Sequence, residues 1–376
     1  MFGKPLTLFR IFGFEVKVDF SWLILGFLIV WSLATGLFPS WHKGFDPSVY
    51  WIMGIAGAVG LFLSIVFHEI WHSLIARRFG LDMKGITLFL FGGVAEMGDE
   101  PPSPKAEFFL ALAGPASSVV LAGLLLGVSL VVRGGGPLTP VVGVLNYLGI
   151  LNLILAGFNM IPAFPLDGGR VLRAVLWGLK GDLRAATKVA STIGGGLGIT
   201  LMLLGALQFL LGNPIGGLWT LLIGIFVRSA SRSSYQQLLF RRALEGEPVR
   251  KFMIPNPVTV AADISIEELV DDYIYKYHFK MYPVVAGDRL VGCVTLDQVK
   301  GVARQERPAR KVAELARECS ADNTIGPDVD VLTALALMSR TGRSRLVVAD
   351  RGKLLGVIAL KDIMGFIALK LDLEES

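Results

Sequence analysis

The sequence predicts a polytopic α-helical membrane protein of about six transmembrane helices with a small membrane-associated β-sheet, followed by a soluble α+β domain. Three observations predict it. Hydrophobic residues fill 53% of the 376 positions and charged residues 18%, below the roughly one quarter usual in globular chains. The apolar excess is confined to residues 18–230, in runs of about 20 residues that, as helices rising about 1.5 Å per residue, would cross a hydrocarbon layer of about 30 Å. From Ser231 onward the composition becomes that of an ordinary soluble domain, and two halves of 251–372 echo one another.

The apolar runs predict spans at roughly 18–38, 51–76, 106–132, 141–163, 190–212 and 215–230. The expected boundaries are a membrane domain over 1–234, a linker over 235–250, the repeated pair over 251–372 and a tail over 373–376. The first run is long and lacks a small-residue cleavage site after it, so the N-terminus is expected to persist. With a cytosolic N-terminus, the inside carries Lys4, Arg10, Lys17, Arg77, Arg78, Lys84, Lys105, Arg170, Arg173, Lys180, Arg184, Lys188, Arg228 and Arg232. The outside then carries only Lys43 and Arg133. Fourteen against two obeys the positive-inside rule and predicts a multi-pass cell-membrane protein with both termini cytosolic.

The net charge of +5 is thus mostly a topology signal. The basic residues sit at span ends without a nucleic-acid-binding motif, so no nucleic-acid partner is expected. The two cysteines, Cys293 and Cys319, support neither a disulfide framework nor a cysteine zinc site.

The second run contains His68-Glu69-Ile70-Trp71-His72. Positions four apart on a helix lie one above the other, so both imidazoles face one way and can hold a single zinc ion. Glu69 sits beside that face, where its carboxylate can act as general base toward an activated water. Two of the chain's four histidines share this run with its only acidic residue. Ionisable groups at membrane depth each cost about 2.5 kcal/mol or more, so such a cluster calls for a compensating partner such as a metal. His42 and His278 fall in an outer loop and on the soluble surface.

A third ligand is available after the fourth run, in Asn159-Met160-Ile161-Pro162-Ala163-Phe164-Pro165-Leu166-Asp167-Gly168-Gly169-Arg170. Its prolines break the helix and its glycines let the backbone turn, so Asp167 can bend back toward the metal; an ordinary span-ending loop has the same composition. Topology favours the site. The second and fourth runs both travel from outside to inside, and His68 lies roughly 14 Å short of the boundary marked by Arg77.

At these residues the chain resembles the site-2 protease family of intramembrane zinc metalloproteases, through HEIWH, its continuation His72 to Gly80, and the Asn159 to Gly169 segment. The resemblance covers most of 50–190 and implies His68, His72 and Asp167 as zinc ligands, Glu69 as general base and Asn159 as an oxyanion stabiliser. It further implies a transmembrane protein substrate cut within the bilayer in regulated intramembrane proteolysis. Trp71 departs from the small residue usual before the second histidine, and its bulk must face lipid or reshape the packing beside the metal. Residues 86–96, with Gly92-Gly93, read as strands whose edge can pair with an extended substrate backbone, or as a plain hairpin. Gly114-Pro115 matches another family feature, read as helix packing.

In the C-terminal part, Tyr282 to Thr295 is echoed by Arg345 to Ile358, each half reading as helix, strand, tight turn, strand and helix. This resembles a CBS-domain pair, a module that commonly binds adenine nucleotides (ATP, ADP or AMP) and regulates the protein it is fused to. The signature is split: Thr295 is followed by Gln298 where an Asp is common, and Asp362 is preceded by Ala359 where Ser or Thr is common. A dimerising domain without ligand, forming a homodimer, fits equally well.

Two other functions compete. A CBS-regulated metal transporter or channel could use the same histidines and aspartate, but the runs carry few other ionisable groups to mark a conduction path. Another class of membrane HExxH protease typically takes a Glu as third ligand and lacks the Leu166-Asp167-Gly168 element.

Overall fold

The computed structural model describes residues 6–374 apart from 12, 82, 90, 91, 98, 99, 133–138 and 288. The chain forms two compact units, Met1–Gln236 and Gln237–Ser376.

The first unit opens with a hairpin of β1 (Leu6–Ile11) and β2 (Phe14–Val18). Next come α1 (Phe20–Trp41, with a π-helical stretch at Leu33–Leu37) and α2 (Pro47–Arg78). The strands β3 (Met83–Phe89) and β4 (Gly92–Met97) form a second hairpin, as the paired glycines suggested. β3 runs parallel to β2, which places the membrane hairpin α1–α2 as the crossover and gives a sheet ordered β1-β2-β3-β4. Then follow α3 (Pro104–Val132), α4 (Thr139–Asn159), α5 (Asp167–Lys180), α6 (Leu183–Leu210) and α7 (Pro214–Leu244).

Six of these helices, all but α5, are long and apolar enough to cross a membrane. Their ends follow local chemistry. Asp19, Asp46 and Asp182 cap α1, α2 and α6 by accepting backbone N–H bonds from Ser21, Ser48 and Arg184. α4 stops at Asn159 and not at the expected 163, because Pro162 cannot continue the ladder. The last span runs on to Leu244, so residues 235–244, read from sequence as linker, are helical. Their residues are good helix formers, and polarity marks where a helix leaves the membrane, not where it ends.

Burial is arranged as lipid requires. Phe27 and Trp31 of α1 and Leu203 and Leu207 of α6 are exposed, whereas Ser64, His68, His72, Ser118 and Asn152 are buried. The sheet rests on the histidine-bearing helix through Val16 and Val18 of β2 against Val66 and Ile70 of α2.

The second unit is a pair of matching repeats. One sheet is ordered β6-β7-β8-β9 (Val260–Ala261, Met281–Ala286, Arg289–Thr295, Arg317–Glu318). The other is ordered β10-β11-β12-β5 (Thr324–Ile325, Arg345–Asp350, Lys353–Ala359, Ile254–Pro255). Each repeat lends a short strand to the other's sheet: β5 pairs with β12 and β9 with β8. The central hairpins share a bulge at the same register, between Val284 and Val285 in one and Val348 and Ala349 in the other. The sheets meet through Met281, Leu290, Cys293 and Val347. Both cysteines are free, and burial pushes the Cys293 thiol up, keeping it protonated and inert.

Candidate metal centre

α2 presents His68 and His72 on one buried face, one turn apart. Asp167 arrives from a different direction. After Asn159 the chain makes turns through Pro162 and Pro165 and starts α5 with Asp167 as its first residue. This turn needs Gly168 and Gly169: a Cβ on Gly168 would stand 2.3 Å from the Met160 carbonyl oxygen, and one on Gly169 would stand 2.4 Å from Phe164 N.

The three side chains converge. Asp167 Oδ2 lies 3.1 Å from His68 Nε2 and 3.3 Å from His72 Nε2. Donor atoms around a tetrahedral zinc at about 2.0–2.1 Å should be roughly 3.3 Å apart, so the spacing fits one ion. Burial alone would lift the Asp167 carboxyl, but the adjacent imidazoles, His72 foremost, outweigh it and hold the group below the usual carboxylate range.

The tautomers also fit. His72 Nδ1–H donates to the Leu110 carbonyl at 2.6 Å, an oxygen that can only accept, which leaves the Nε2 lone pair free. His68 Nδ1 lies 2.9 Å from Ser118 Oγ, in position for the same tautomer. Both partners belong to α3, as does Gly114, where a Cβ would stand 2.2 Å from His72 Nε2 and 2.4 Å from His68 Nε2. Gly114 therefore keeps open the space into which both nitrogens point. It is a packing residue, as the sequence suggested, and the close approach it permits is to the ligand atoms themselves.

Glu107, Leu110, Gly114 and Ser118 fall at i, i+3, i+7 and i+11, one face of α3. Glu107 is fully buried and accepts from Arg173 of α5, whose Nε lies 2.6 Å from Oε1. The Arg173 guanidinium also covers the Phe164 ring at 5.2 Å. One face of α3 thus orients both imidazoles and anchors the helix that begins with Asp167. Glu107→Gln leaves Arg173 buried beside a neutral amide, a loss of about 3–5 kcal/mol when such a pair is broken. A lower thermal midpoint together with lower zinc content is expected from melting curves and metal analysis; a variant matching the parent in both would show the pair to be idle.

Of the other residues singled out from sequence, Glu69 is half-buried on α2 beside His68. Asn159 is the last residue of α4, half-buried, with no side-chain hydrogen bond among the described residues. Instead Asn152, two turns earlier, is buried and donates to Ser64 Oγ at 2.9 Å, one turn before His68 on α2. Trp71 lies 40% exposed in an outward apolar groove with Phe67, Phe109 and Leu112, so its bulk faces away from the ligand atoms.

Thr295 and Asp362 line two different clefts of the C-terminal unit. The Thr295 hydroxyl donates to Gln298 Oε1 at 2.7 Å, and that cleft is ringed by Lys280, Arg317, Arg343 and Arg345. Asp362 shares its cleft with Asn256, Phe279 and Lys361, and its Oδ2 is buried without a partner among the described residues.

Comparison with known proteins gives the family. The model of peptidase family M50 matches residues 56–141 and 136–203, and the CBS-domain model matches 249–303 and 312–369. Rip3 of Mycobacterium tuberculosis, named as a zinc metalloprotease, is 34% identical over 360 residues, covering 95% of this chain and 91% of its own. A zinc metalloprotease of Methanocaldococcus jannaschii is 32% identical over 376 residues, covering 98% of this chain and 99% of its own. The solved site-2 protease of that archaeon is 31% identical and covers 62% of this chain and 95% of its own, with a TM-score of 0.42. With a histidine pair and a carboxylate meeting on a buried helix face and relatives alike over their full length, the chain belongs to the site-2 protease family of membrane zinc metalloproteases, peptidase family M50, and carries a C-terminal CBS-domain pair.

Proposed function

We propose that His68, His72 and Asp167 hold the family's zinc ion, that Glu69 is the general base, and that the enzyme cuts membrane-spanning proteins near the cytosolic face in regulated intramembrane proteolysis. The observation that carries this reading is the convergence of a carboxylate oxygen, 3.1–3.3 Å from each of two imidazole nitrogens, into one cluster whose ligand atoms all lie within 4.8 Å of one another. A zinc ion held there would supply Lewis acidity, making a nearby water easier to deprotonate and polarising a carbonyl. Glu69 takes a proton from the attacking water as its oxygen bonds to the scissile carbonyl carbon. Glu69 then delivers that proton to the departing amide nitrogen, so the C–N bond breaks to give a carboxylic acid and an amine, and the water's second proton passes from the acid to the amine to leave a carboxylate and an ammonium ion. Asn159 donates its amide N–H to the oxyanion formed between these steps. The free edge of β4 pairs with the substrate backbone, because a helical substrate hides its carbonyls until it is drawn out.

Both termini are cytosolic in this reading, on the strength of the basic residues at the span ends. In proteoliposomes with a single-pass substrate, cleavage should stop on treatment with 1,10-phenanthroline and return with added zinc. Cleavage indifferent to the chelator would overturn the metal-dependent reading.

The C-terminal pair binds an adenine nucleotide in this reading, in the cleft where the unpartnered Asp362 oxygen can accept from a ribose hydroxyl and Phe279 offers an apolar wall. The Thr295 cleft is less suited to ribose, since its hydroxyl is spent on Gln298. Titration calorimetry with ATP should register binding that Asp362→Ala weakens at least about ten-fold, the order of one charge-assisted hydrogen bond; equal affinity in the variant would remove Asp362 from the site.

A further inference from the structure

We infer that a cleft between α6 and α7 binds the phosphate of an anionic membrane lipid, with Arg228 and Arg232 as its cations. The cleft has a volume of about 450 Å³. Arg228 and Arg232 stand one turn apart on α7, accompanied by Ser229 and Ser233 at the same spacing, and all four line the cleft. Its apolar wall is made by Met202 of α6 and Ile225 of α7.

Charge makes the site specific. No carboxylate lines the cleft, and neither arginine has an ion-pair partner among the described residues. Arg173, Arg250, Arg310 and Arg340, by contrast, each meet an acidic side chain. Arg228 is half-buried, its Cβ and backbone N packed against Gly198 of α6.

Depth selects the ligand. Arg228 and Arg232 lie 14 and 18 residues past Pro214, where α7 begins. At about 1.5 Å per residue this is roughly 21 and 27 Å along the helix, near the edge of a hydrocarbon layer of about 30 Å. That is the level of lipid phosphates, and basic pockets between transmembrane helices are suited to them. Guanidinium groups match phosphate oxygens in pairs, and the serine hydroxyls add donors. The apolar wall directly below the arginines suits the start of an acyl chain, which a free phosphate does not have.

The floor is rigid. A Cβ on Gly198 of α6 would stand 2.8 Å from both Arg228 N and the Gly224 carbonyl oxygen, so the two backbones touch just beneath the cleft.

The test uses full-length protein in detergent, titrated with dioleoylphosphatidylglycerol, dioleoylphosphatidylcholine or inorganic phosphate, with bound ligand counted by native mass spectrometry. The anionic lipid should bind about ten-fold or more tightly than the zwitterionic one, and Arg228→Gln/Arg232→Gln should remove that preference. Arg241→Gln/Arg242→Gln, which removes the same charge from the same helix outside the cleft, should retain it. Arg232→Gln alone leaves half-buried Arg228 in place and should lose several-fold even if the double variant does not fold. Equal losses in the two double variants would reduce the effect to diffuse attraction and overturn the site. Absence of a lipid preference, or inorganic phosphate binding as tightly as the anionic lipid, would overturn it as well.

Discussion

Glu69→Gln is expected to yield a folded protein that still holds zinc and cleaves substrate at least about 10²–10⁴-fold more slowly, the usual contribution of a positioned general base. The change keeps side-chain shape and removes only the ability to accept a proton. Glu69 is half-buried on the turn between His68 and His72 and is not among the three groups that converge. Zinc content should therefore match the parent while turnover falls, a separation that His68→Ala cannot produce. Cleavage near the parental rate would remove Glu69 from the base role, and loss of zinc would move it into the ligand set.

Gly114→Ala is expected to be nearly as damaging by another route. In a helix this substitution ordinarily stabilises by about 1 kcal/mol. Here the added methyl would meet both Nε2 atoms at 2.2–2.4 Å, closer than van der Waals contact allows. Either α3 backs away from α2, stretching the bonds from His72 to Leu110 and from His68 to Ser118, or the metal's space is filled. Both routes lower zinc occupancy and cleavage together, and overpacking should cost about 1–3 kcal/mol of stability. An alanine variant with full zinc and full activity would mean that α3 does not bound the metal site.

The polar half of the site was legible in the sequence because it is written in side chains. His68 and His72 announce themselves by helical spacing, and Asp167 by lying after a span that exits on the same side. What escaped depends on backbone atoms or on the lack of any atom. The Leu110 carbonyl that orients His72 has no sequence signature, since every residue carries one. Gly114 acts through the space it leaves, which only the approach of α2 gives meaning. The Glu107–Arg173 pair joins residues far apart in the chain, and its partners could be matched only after α3 and α5 were placed side by side.

The fold divides along the same line. Spans follow from long apolar runs, the C-terminal strands from two echoing halves, and the β3–β4 hairpin from its glycines. The β1–β2 hairpin did not show itself, because strands of six and five residues interrupted by Arg10, Glu15 and Lys17 carry little pattern until β3 supplies a partner. Asp167 was expected in a bent loop. It instead opens the amphipathic helix α5, so the carboxylate is held by a regular element buttressed through Glu107. Trp71, ambiguous beside a ligand in sequence, lies about a quarter of a turn away from the histidine face and looks outward.

The central claim is that residues from two distant segments share one cation. Zinc-edge X-ray absorption on the purified full-length protein tests it most directly: two imidazole nitrogens and carboxylate oxygen should appear at about 2.0–2.2 Å with no sulfur, and Asp167→Ala should alter the oxygen shell or release the metal. A zinc spectrum and stoichiometry untouched by Asp167→Ala would contradict it.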